Sequence, residues 1–222
     1  MTSPMLWKLV EKEFRTEVRQ RSSLAGLAIY VGSSVFICYS AVSLRAGGPD
    51  APTWSALYWI MMLFSGLGIV GKGFLAETRG AQLYLHSLVS PGMLILSKII
   101  YSTILGLLLM LTGFLLFIVL MGNPIQDLGI FLACITLGAA GFGSTFSLLS
   151  GIASRAGNSN VLMAIMGFPV ILSVLLLCIR VTRNCIDGLG LYASQDELLL
   201  LAAVEAIAVS LSYILFPYIW RS

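Results

Sequence analysis

Few residues in this chain could do chemistry, and they lie far apart. His86 is the only histidine. It could ligate a metal or haem, but a lone His with no second His or Cys beside it is more often a loop residue. Cys38, Cys134, Cys178 and Cys185 contain no C-x-x-C spacing, so neither a zinc site nor a redox motif is indicated. Three of them sit in apolar runs, where a free Cys behaves as a small hydrophobe. Gly66, Gly68 and Gly71 match G-x-G-x-x-G. The dinucleotide motif has to follow a strand and open a helix. Here it lies in an apolar run, where small residues let helices approach. There is no P-loop, and no Ser/His/Asp or Cys/His arrangement can be assembled. The chain therefore reads as non-catalytic, with no cofactor or metal bound directly. Glu205 is the one acidic residue well inside an apolar run. Leaving it unpaired in lipid costs at least about 2.5 kcal/mol. It is expected to face the bundle or a wet cleft, either as a structural hydrogen-bond partner or in an outer cavity. A proton relay would need further buried ionisable residues, and none is evident.

The elements that carry these residues are set by composition. Of 222 residues, 58% are hydrophobic and 10% charged. An ordinary soluble domain has roughly 25% charged residues, so none is hidden here. The net charge of +3 gives no case for nucleic acid. Apolar runs near 24–44, 54–71, 94–121, 128–150, 161–180 and 198–220 are each about 20 residues or longer, the length of a membrane-crossing helix. Barrel strands would be about half as long and would alternate apolar with polar. The expected fold is an all-α integral membrane protein. It is a single membrane domain over 1–222, with six transmembrane helices.

Residues 5–22 precede the first run. Trp7, Val10, Phe14 and Val18 recur at helical spacing, with Arg15, Arg19 and other charges between them. Glu11 with Arg15 and Glu17 with Arg21 are favourable i,i+4 pairs. The expectation is an interfacial amphipathic helix, its apolar face in the lipid bilayer and its basic residues near anionic headgroups. On the fourth run, Ala139, Gly143, Ser147 and Gly151 recur every four residues, a stripe that lets a neighbouring helix come close. It fits packing within one subunit, or a dimer seam or moving interface. Trp54, Trp59, Tyr101, Tyr192, Tyr218 and Trp220 lie near run ends, as in aromatic belts.

Orientation follows from Lys and Arg. With the N-terminus in the cytoplasm, Lys8, Lys12, Arg15, Arg19, Arg21, Lys72, Arg79, Lys98, Arg155 and Arg221 fall inside. Only Arg45, Arg180 and Arg183 fall outside. This asymmetry places both termini in the cytoplasm. The outer gap 122–127 carries Asn-Pro turn chemistry. The inner gap 72–93 is longer and semi-apolar: Phe74, Leu75, Leu83, Leu85 and Leu88 are interspersed with Glu77, Arg79 and Gln82. Short surface helices docking a protein partner are expected there. Ser90 before Pro91 marks the start of the third run.

An amphipathic basic helix, six spans and a structured inner loop between spans two and three resemble the membrane subunits of type-2 ABC exporters. The chain is more closely similar to the haem exporter B (CcmB) family of the cytochrome c maturation machinery. The resemblance rests on Glu13 to Arg19, on Phe74 to Gly80 continuing to Leu88–Pro91 and Lys98, on Gly122 to Asp127, and on Gly151 to Asn158 with Pro169 downstream. These stretches follow in order over nearly the whole chain. The resemblance implies a subunit of the bacterial inner membrane. Its partners would be a cytoplasmic (CcmA-like) ATPase, haem-handling CcmC- and CcmD-like membrane subunits and a periplasmic haem chaperone. ATP would be bound by the partner and haem handled by the complex. Glu77, Arg79, Gly80 and Leu83 would seat the 72–93 coupling loop on the ATPase. The alternatives are another type-2 exporter subunit, for lipid, polysaccharide or drug, or a membrane scaffold without ATP. A secondary transporter fits less well, since Glu205 alone could couple an ion.

Overall fold

The computed structural model describes residues 3–19, 21–43, 49–70, 89–153 and 159–221. They form seven helices: α1 (Ser3–Arg19), α2 (Arg21–Ser43), α3 (Ala51–Val70), α4 (Pro91–Met121), α5 (Leu128–Ala153), α6 (Ser159–Ile186) and α7 (Gly190–Arg221). No strand occurs among the described residues. Segments of α2, α4, α5, α6 and α7 are long and apolar enough to cross a membrane, so this is an all-α, multi-pass membrane-type chain. α3, a 20-residue apolar helix, runs over residues 51–70 and takes up the run expected at 54–71 as far as Val70.

Several helices outrun the apolar runs that announce them. α7 begins at Gly190 rather than near 198, so Asp196 and Glu197, which precede the expected run, ride on its first turns. α6 continues to Ile186 and takes up Arg180 and Arg183. The apolar core of a bilayer is about 30 Å thick but the headgroup zones bring it to roughly 40–45 Å. A helix keeps its own backbone bonded through that polar margin, where charged side chains stay solvated. α4 is the extreme case, its 31 residues reaching roughly 46 Å at the helical rise. It starts as expected, with Pro91 in the first turn and the Ser90 carbonyl accepting from the Met93 and Leu94 amides.

α5 is the central helix, packed against α4, α6 and α7. α3 lies on α4, α5 and α6, α2 sits against α3 and α4, and α1 rests on α4 and α2. The core between α3, α4 and α5 is aromatic. Trp54 stacks on Tyr58 at 5.6 Å and meets Phe117 edge-on at 5.3 Å, and Phe114 packs on Phe131 at 4.7 Å. Trp54, Trp59 and Tyr101 are therefore core residues and not belt residues. Their rings fill the bundle. Trp59 Nε1 donates to Thr182 Oγ1 at 2.7 Å and the neighbouring Tyr58 hydroxyl to the Met110 carbonyl at 3.0 Å, whereas Trp54 Nε1 is buried with no hydrogen-bond partner among the described residues. Tyr192 and Tyr218 are exposed near the ends of α7, where a belt would put them.

The end of the bundle away from α1 is closed by backbone. Gly122, at φ 82°, ends α4 with its amide on the Ile118 carbonyl. The Gln126 and Asp127 amides both reach the Cys185 carbonyl, at 3.0 and 3.3 Å. Asp127 then accepts the Gly190 amide on its carboxylate at 3.1 Å, capping the start of α7. Gly188, at φ 66°, sits so close to the Gln126 side chain that a Cβ would collide with it.

Candidate functional site

The α1 end of the bundle holds the most unusual chemistry. α1 does not simply float its apolar face in lipid. Val10 and Leu9 are buried, and Leu9 joins a cluster with Leu94, Ile95 and Ile99 of α4 and Phe216 of α7. Phe14 meets the Tyr101 ring edge-on at 5.0 Å. Trp7 and Val18, expected on the same stripe, remain outside this contact, with Trp7 64% exposed. The helical stripe is thus split: one side is covered by α4, the other is left for lipid.

Glu13 lies three residues from Val10 and Glu17 seven, so both carboxylates share the covered side. Glu13 Oε1 stands 3.5 Å from Lys98 Nζ and 3.3 Å from Lys12 Nζ. Lys98 is 4% exposed, on the second turn of α4. Glu17 lies near the Tyr101 hydroxyl. A buried lysine in a membrane helix is expensive unless it is paired, and the pair here is made across two elements. Sequence reasoning took Lys98 as a topological charge and as part of the resemblance, not as half of a buried ion pair. The signal was present: Glu13 and Glu17 sit in phase with the apolar residues of α1, which leaves them to be matched by a cation at similar depth. The opposite face of α1 is polar. Lys8, Glu11, Lys12, Arg15, Thr16 and Arg19 line an open groove of about 820 Å³. Arg15 makes its expected pair with Glu11 at 2.6 Å, while the Arg21 side chain, assigned to Glu17, lies outside the described side chains.

The small-residue stripe of α5 is placed against α4. Ala139 and Ser147 are buried, as is Gly151 at the α1 end. Ser102 of α4 reaches the Gly143 carbonyl at 3.1 Å and the Ser147 hydroxyl at 3.0 Å. A Cβ on Gly143 would stand 2.9 Å from Thr103 Oγ1 and 3.0 Å from its backbone nitrogen. This stripe is a seam within one subunit. Gly66, from the nucleotide-like glycine motif, is in helix α3, where a Cβ would meet the Phe146 ring at 3.3 Å.

Glu205 is half-buried on α7, in phase with Leu201, Ala208 and Ser212 on the packed face. It faces the bundle and makes no hydrogen bond or ion pair among the described residues. Cys134 and Cys178 face each other across α5 and α6, with the Cys134 thiol 3.8 Å from the Cys178 carbonyl. No described group of three His, Cys, Asp or Glu is arranged to hold a metal ion. Glu77, Arg79, Gly80, Leu83 and His86 lie outside the described residues.

Comparison with family models, with curated proteins and with solved structures gives no significant match.

Proposed function

We propose that this chain is the membrane subunit of an ATP-driven ABC complex in c-type cytochrome biogenesis. In this reading α2–α7 are six bacterial inner-membrane spans. The α1 end faces the cytoplasm, and a separate ATPase docks on the α3–α4 connection through Glu77, Arg79, Gly80 and Leu83. The subunit itself is not catalytic. Haem is the substrate of the assembled complex, passed on through haem-handling membrane subunits to a periplasmic chaperone.

One observation carries the mechanical half of this reading. α1 is fastened by Glu13 and Lys98 to the first turns of α4, directly after the α3–α4 connection. The interfacial helix therefore meets the start of α4, the helix that follows the expected coupling loop, at one end of the bundle. The C-terminal part of α7 meets them there through Phe216, and through Tyr213 against Gly92. The basic face of α1 supports a location at an anionic surface on that same side. The choice of cargo rests on the resemblance of the sequence stretches.

Deleting the chain and staining membranes for covalently bound haem tests the cargo. Loss of c-type cytochromes is the expected result, and undiminished staining would end the haem reading. Co-purification tests the engine. An ATPase subunit should be retained by the wild type and released by Glu77→Lys with Arg79→Glu. Retention of the ATPase with normal c-type haem would point to a type-2 exporter of another cargo.

A further inference from the structure

The geometry points to a charge-keyed joint between α1 and α4. We infer that the Glu13–Lys98 pair makes α1 and the first turns of α4 move as one body, so that any displacement of the start of α4 is carried to α1. This deepens the proposed coupling role and rests on it for its purpose, though not for its existence.

The contact between the two helices is small and mixed. Leu9, Val10 and Phe14 supply the apolar part, and Glu13 and Glu17 stand among them rather than on the solvent side. An apolar contact alone would give α1 little reason to stay: lipid solvates Leu and Phe as well as protein does. The ionic groups change that. Lys98 is covered by protein, so withdrawing α1 would pull the Glu13 carboxylate away from a buried ammonium. Lys12, partly exposed, holds the same carboxylate from the water side. Tyr101 adds a second contact one turn further along α4, with its ring edge-on to Phe14 and Glu17 nearby. An ion pair and a ring contact along one line resist rotation of α1 as well as its departure.

The test is a charge exchange in the full-length chain, purified in detergent and followed by hydrogen exchange of residues 5–19. Glu13→Lys and Lys98→Glu, each alone, should speed exchange in α1 by at least about tenfold, because each leaves a buried charge facing its like. The double variant E13K/K98E should return α1 to near the wild-type rate. Amides of α5, remote from the joint, report whether each variant still folds. Glu13→Gln, which keeps the shape and loses the charge, should give a smaller rise if the full reversals fail to fold. Unchanged exchange in the single variants overturns the joint, and a double variant as fast as the singles overturns the charge key. In the assembled complex the single variants should keep ATP hydrolysis and lose covalent haem output, with recovery in the double. Full output with α1 released would overturn transmission while leaving the fastening intact. Failure of the haem reading itself would show in the deletion strain and would not alter the exchange result.

Discussion

The Ser102 hydroxyl has one proton and three oxygens in reach: the carbonyls of Ile99 and Gly143, and the hydroxyl of Ser147. Either hydroxyl can be the donor between Ser102 and Ser147, and both arrangements tie α4 to α5 inside the packed seam. Such interhelical bonds in a membrane average only about 0.6 kcal/mol, with a maximum near 1.7. Ser102→Ala should therefore lower thermal stability in detergent slightly. Gly143→Ala should cost more, about 1–3 kcal/mol, since its new methyl meets the Thr103 backbone and α4 has to move. A Gly143→Ala protein as stable as the wild type would mean that the two helices are not seated this closely. Sterics outweigh hydrogen bonding at this seam, and the order of the two variants is the check.

At the scale of elements, α3 shows how aromatic residues stiffen a bundle. Trp59→Phe keeps most of the ring but removes the donor to Thr182, which still donates to the Cys178 carbonyl at 2.7 Å. The expected loss is about 1 kcal/mol, against about 3–5 kcal/mol for Trp59→Ala, read from thermal unfolding. Equal losses would mean the indole nitrogen, not the ring, carries the contact. The helices themselves were legible because apolar runs of spanning length have few other solutions in lipid. Their ends were less so: Asp196 and Glu197 look like loop residues, yet a helix crossing the headgroup zone accommodates them. The depth of Trp54 and Trp59 was hidden too, because nearness to a run end says nothing about which side of the helix faces protein. Position along the chain likewise labelled Lys98 as a surface charge. Only the phase of Glu13 with Val10 hinted at its partner. The coupling residues Glu77 and Arg79 remain a reading of the sequence.

At the scale of the whole molecule, consecutive helices from α2 to α7 alternate in direction, so α1 and the end of α7 share one end of the bundle. Thiol labelling from either side of the membrane tests the orientation. Cys134, Cys178 and Cys185 are buried and should stay silent, so only the half-buried Cys38 needs replacing by Ser. A single Cys at Arg15 or at Tyr218 should then react from the cytoplasm, and one at Tyr192 from the periplasm. Arg15 and Tyr192 labelled from the same side would contradict the arrangement of the helices, and reversal of all three would invert the proposed orientation.

The turn at 122–127 also fixes an order of events during synthesis. It leaves the ribosome before the groups that will satisfy it exist in the membrane. The Gln126 and Asp127 amides wait for the Cys185 carbonyl, and the Asp127 carboxylate waits for the Gly190 amide, some sixty residues later. Until α6 and α7 have been inserted, those groups have only headgroup water for company. Maturation of this protein in the translocon is thus vectorial: the α4–α5 hairpin can zip early along its serine and glycine seam, and the far rim is sealed last, by the newest part of the chain.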